Sequence, residues 1–218
     1  MKRVVHTIAL LVTAAALGAQ QPGQRTHDQS AVIWAPPDLS LPEDLPGPTV
    51  PLTMVTRLNV AGWPIELEQT ELQQAQKHFG GTIGNSGDAS EALGFLCLYG
   101  KDNGGLWALW LMSGEADGKS VGSIQWERLP PDARMDPRCK LLASGGVDLP
   151  VALRLDMRRK DAERVLGKPT SVYHDSDLYS HEHKLTIKNE PYSADNNLFL
   201  KFRNGVLWSL VVNYSIIS

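Results

Sequence analysis

The richest cluster of reactive side chains is His174-Asp175-Ser176-Asp177, followed by His181-Glu182-His183. In an extended strand His181 and His183 project from one face about 7 Å apart. With a nearby carboxylate, that pair has the makings of a zinc or copper site. One HxH pair falls short of the three or four ligands such sites use, and polar strand ends and turns carry the same residue types for ordinary reasons. A second group, His78 with Ser86, Asp88 and Ser90, holds the parts of a nucleophilic triad without a GxSxG elbow to present the serine. Gly80-Gly81-Thr82-Ile83-Gly84-Asn85-Ser86-Gly87 is glycine-rich like a phosphate loop. It lacks the GK[ST] ending and the strand-to-helix setting, and reads as a connector. No catalytic residue, metal ligand or cofactor is therefore assigned.

Six tryptophans are the other chemical feature: Trp34, Trp63, Trp107, Trp110, Trp126 and Trp208. Alternation along a strand sends Trp107, Leu109 and Leu111 to one face and Leu106, Ala108, Trp110 and Met112 to the other. A single helix layer covers one face of a sheet, so the other needs a second cover, from this chain or from a partner. Trp107, Trp110, Trp126, Trp208 and Tyr99 are accordingly the candidate protein-binding residues, aromatic anchors being the side chains that dominate interfaces.

The elements that must position these groups follow from periodicity. Leu72, Ala75 and Phe79 space a helix over Glu71–Phe79, with Thr70 as its N-cap and Gly80-Gly81 as its stop. Leu155, Ala162, Val165 and Leu166 space another over Met157–Leu166, closed by Gly167 and Pro169. The basic residues Arg154, Arg158, Arg159, Lys160, Arg164 and Lys168 read as its solvated face. Strands are expected at Gly94–Tyr99, Leu106–Met112, Val121–Arg128, Thr170–His174, His181–Ile187, Leu198–Arg203 and Val206–Tyr214. Asn204-Gly205 signals a hairpin, and Asp195-Asn196-Asn197 matches the position of the Asp102–Gly105 turn. A short second helix is expected near Ala89–Leu93.

The pattern predicts an α+β protein of two tandem repeats, each a helix plus a short second helix packed on an antiparallel four-stranded meander. The boundaries are a signal peptide at 1–19 and a proline-rich, largely disordered linker at 20–59. A first repeat follows at 60–128, a connector at 129–148 and a second repeat at 149–218.

Helix–Gly–Lys–Pro followed by a meander, in tandem, resembles the β-lactamase-inhibitor-protein fold and the small BamE (SmpA/OmlA) assembly lipoproteins. The resemblance is carried by Ala162, Val165–Pro169, Tyr179, Leu198, Phe202 and Asn204–Val206, and it covers about Val60 to Ser218. It implies a protein that binds other proteins, as an inhibitor or an envelope-assembly adaptor.

Met1-Lys2-Arg3 followed by apolar Ile8–Leu17 and small residues is the three-part pattern of a cleaved leader. Its apolar core is too short to span a bilayer, and no later stretch is long enough, so no membrane insertion is expected after cleavage. The destination would be the periplasm or the medium, where Cys97 and Cys139 would form one disulfide. The net charge of −3 argues against a nucleic-acid partner. The expected function is thus non-enzymatic binding of another protein through an aromatic sheet face. The rival is a small secreted metal-dependent or serine hydrolase using the His174–His183 region.

Overall fold

A computed structural model describes residues 32–37, 55–86, 93–114, 118–143, 145–187 and 190–217. The expected leader, most of the expected linker, and the expected helical turn at Ala89–Leu93 up to Leu93 lie outside these residues.

In chain order the elements begin with β1 (Val32–Ile33), β2 (Arg57–Val60), β3 (Trp63–Glu66), α1 (Leu72–Phe79) and β4 (Ile83–Ser86). Then come β5 (Leu93–Asp102), β6 (Gly105–Ser113), β7 (Val121–Arg128), β8 (Arg134–Met135), β9 (Lys140–Leu141) and β10 (Val147–Asp148). The chain finishes with α2 (Arg159–Leu166), β11 (Ser171–Val172), β12 (Ser176–Ile187), β13 (Glu190–Arg203) and β14 (Val206–Ile217).

One large sheet organises them, in the order β11-β12-β13-β14-β7-β6-β5-β4, with β9 added parallel to β5. A smaller sheet, β10-β2-β3, and a parallel pair, β1-β8, complete the strands.

This overturns the expectation of helix-on-meander tandem repeats. Of the described residues 57% are in strands and only 10% in helices, and the two eight-residue helices among them cannot form the covering layer of two separate units. The two runs of strands are instead joined laterally. β14 pairs with β7 from Ser209↔Glu127 to Asn213↔Ser123, which makes one antiparallel sheet. Along its front face a single core runs from Leu96, Trp107 and Leu109 through Ile124 and Trp126 to Leu210, Leu198 and Tyr179. Periodicity locates a strand but carries no information about its lateral neighbour, and that neighbour decided the architecture.

Both helices lie against this front core. α1 buries Leu72, Ala75 and Phe79, and α2 buries Ala162 and Leu166. Each stops at a glycine with positive φ, Gly80 at 85° and Gly167 at 83°, where a side chain would be strained. The expected cap at Thr70 is not made. Its hydroxyl accepts the Glu66 N–H at 2.9 Å, and Glu71 occupies the N-cap position without a side-chain bond.

The rear face over β5 and β6 is closed by segments expected to be linker and connector. Ile33, Trp34, Leu129, Ala133, Met135 and Cys139 pack on Phe95, Cys97, Ala108 and Trp110. The Cys97–Cys139 disulfide, with Cα atoms 4.7 Å apart, clamps the connector onto β5. Gly84 makes room for this closure, because a Cβ there would stand 2.5 Å from Phe95 and 2.7 Å from Trp34.

Candidate functional site around Trp208

The candidate binding residues do not form one face. Trp107 and Trp126 lie on the front, edge to face at 6.4 Å, and are 1% and 4% exposed. Trp110 lies on the rear and is fully buried, its indole N–H donating to the Trp34 carbonyl at 3.0 Å. Tyr99 is half-buried on the rear face at the edge of the same cluster, and its carbonyl accepts the Leu142 N–H at 2.9 Å. The shared aromatic surface expected of Trp107, Trp110 and Trp126 is therefore internal packing. Trp34 and the connector supply the second cover that the sheet required.

Trp208 is the remaining tryptophan among the candidates, half-buried like Tyr99 and set where the ladder slips. Lys201 pairs with Ser209 but Phe202 pairs with Leu207, so Trp208 is the extra residue of a bulge. The Arg203 guanidinium lies over its ring, 4.5 Å from the centroid. Arg203 itself is exposed.

A row of polar groups crosses the rear face beside this pair. Glu127 stands opposite Ser209 and Ser209 opposite Lys201, on the adjacent strands β7, β14 and β13. Directly opposite side chains on one face have Cβ atoms about 5 Å apart. Glu127 is 8% exposed, Gln125 1% and Ser209 1%. Gln125 donates its amide to the Glu127 carboxylate at 3.2 Å, and the Ser209 hydroxyl has no hydrogen-bond partner among the described residues. Burial raises the Glu127 pKa to about 7, against the opposing pull of the Gln125 bond and the Lys201 and Arg203 charges. Lys201 also reaches over Phe199, 5.8 Å from its centroid.

Sequence reasoning missed this row. Gln125 and Glu127 alternate with Ile124 and Trp126, which reads as ordinary solvent-facing alternation. Chemically the patch offers a flat aromatic ring, a forked cation, a second cation and a carboxyl group near neutrality. Its serine is sealed, so the arrangement fits recognition better than nucleophilic attack.

The His174–His183 cluster divides between two roles. Asp177, 2% exposed, receives both Nε and Nη2 of Arg159, and Arg159 also donates to the carbonyls of Tyr173, His174 and Ser176. That network fastens the start of α2 to the β11–β12 turn, so Arg159 is not the solvated residue its sequence setting suggested. The His181 and His183 rings stack 5.9 Å apart, and His183 continues onto Tyr214. Among the described residues no group of three or more histidine, cysteine or acidic side chains is arranged to hold a metal ion. No helix among them is long and apolar enough to cross a membrane.

A third polar junction lies at Arg128. It bonds Asp102 of the β5–β6 turn at 2.8 Å, the Gly105 carbonyl at 3.0 Å, and Asp156 ahead of α2. Burial works to raise the Asp102 pKa, but the Arg128 hydrogen bond and charge outweigh it and hold it low. Asp156, at φ 69°, takes a left-handed conformation that aspartate tolerates better than most residues.

Against known proteins, no family model matches the chain, and no curated protein or solved structure matches it either.

Proposed function

We propose that this chain is an exported, non-enzymatic protein-binding module whose contact surface is the patch around Trp208, Arg203 and Lys201. One observation carries the proposal. Of the aromatic residues singled out for recognition, the three large core tryptophans are sealed, whereas Trp208 is partly exposed beneath an exposed arginine. Tryptophan and arginine are the residue types that most often dominate binding energy. The leader pattern and the disulfide support export. A protein partner presenting an acidic or aromatic segment complements the patch, since Arg203 and Lys201 outnumber the single, partly neutralised Glu127. The hydrolase reading is weaker because, in the His174–His183 region it would use, Asp177 is engaged by Arg159 and Ser176 is buried.

The test is a photo-crosslinking amino acid at position 208, compared with the same group at exposed Val172. A discrete adduct formed only from position 208 identifies the partner. Trp208→Ala should then weaken that complex by about 2 kcal/mol, roughly thirty-fold. Equal labelling from both positions, or unchanged affinity in Trp208→Ala, would contradict the proposal.

A further inference from the structure

Among the described residues, strand β12 carries a bare edge over much of its length. β11 pairs only with its Asp177 and Leu178, and the Ser180 N–H then donates to the Thr170 hydroxyl at 3.0 Å. Among the described residues nothing bonds that edge from His181 to Ile187. The Ser180 bond, and the Ser176 carbonyl accepting from Tyr173 at 2.8 Å, fix which backbone groups point outward. Alternation then directs the N–H and C=O of Glu182, Lys184 and Thr186 away from β13, and all three residues are exposed. His181, His183 and Leu185 bond inward.

We propose that a second copy of this chain occupies this edge, the two β12 strands running antiparallel about a two-fold axis at His183. In this register Glu182 of each copy exchanges both backbone hydrogen bonds with Lys184 of the other, and their side chains stand directly opposite with opposite charge. Moving the axis to Glu182 or to Lys184 preserves the backbone bonds but sets glutamate against glutamate or lysine against lysine. A lysine on an edge strand ordinarily discourages strand addition. Here the glutamate two positions before it makes an antiparallel copy of the same strand the matching partner. The surface is separate from the Trp208 patch, and the two proposals stand or fall independently.

Sedimentation equilibrium over a dilution series tests the pairing. The wild-type protein should dimerise, and Glu182→Lys and Lys184→Glu should each weaken the dimer by about tenfold or more. An equimolar mixture of those two variants should recover wild-type affinity, because every cross-strand pair is then opposite in sign. Lys184→Pro should abolish dimerisation while keeping a wild-type circular dichroism spectrum, since among the described residues the Lys184 N–H has no partner within one copy. A wild-type protein that is monomeric throughout overturns the proposal. So does a dimer indifferent to these substitutions, or a mixture no tighter than its separate components.

Discussion

Glu127 sits in a row of buried polar groups where its neutral form is favoured, and that preference is a statement about stability. The ordinary glutamate value is 4.5, and burial raises it in the fold to about 7. Because the folded value is the higher one, the stabilisation is fully present below pH 4.5. It is lost as pH climbs through the interval to about 7, a change of about 3 kcal/mol. Glu127→Gln keeps an acceptor for Gln125 and removes this dependence. Urea unfolding at pH 5 and pH 8 should show the variant gaining on wild type at the higher pH; a constant difference between the two would place Glu127 in contact with water. Arg159 and Asp177 give a second residue-scale expectation. Asp177 is nearly inaccessible and the Arg159 side chain is 30% exposed, so the cost of breaking the pair is lopsided. Arg159→Ala strands a buried charge and should cost about 3 kcal/mol or more, while Asp177→Asn leaves an arginine that can reach water and should cost less. Equal costs would show that Asp177 is better solvated than the fold indicates.

At the scale of elements, the disulfide is the fastening that holds the connector on the rear of β5. Cys97 and Cys139 are 42 residues apart, and closing such a loop contributes about 4 kcal/mol by the chain-entropy argument. Replacing both by alanine should lower unfolding stability by 2 to 5 kcal/mol, about the cost of losing a native bridge, and should expose Trp110 to added quencher. A loss under about 1 kcal/mol would mean the packing of Trp34, Leu129 and Met135 holds the connector unaided.

Much at this scale was legible in the sequence. Val121–Arg128 is a strand over the expected residues, and Asn204-Gly205 turns the β13–β14 hairpin with φ of 53° and 74°. Both depend on local rules of alternation and turn chemistry. Asp195-Asn196-Asn197 failed for a non-local reason. Expected to be a turn, it lies within β13, where Asn196 accepts from the Val55 N–H at 2.9 Å and donates back to its carbonyl at 3.1 Å. A partner 141 positions away leaves no trace in the local pattern. Glu127 and Ser209 were hidden in the same way, since only the β7–β14 pairing brings them together.

For the whole molecule, the decisive junction is β14 against β7, which merges the strands into one sheet and lets one core serve both halves. The sheet's front is filled by the helices and the small sheet, and the rear over β5 and β6 by Trp34 and the connector. Sealing both sides removes Trp107, Trp110 and Trp126 from any role in recognition and leaves Trp208 as the anchor to which the proposed function is attached. Oxidative footprinting of the folded protein, read tryptophan by tryptophan by mass spectrometry, tests this most directly. The account predicts that Trp208 is modified readily while Trp107, Trp110 and Trp126 stay protected until the protein is unfolded. Modification of Trp107 or Trp110 at the rate of Trp208 in the native state would contradict it.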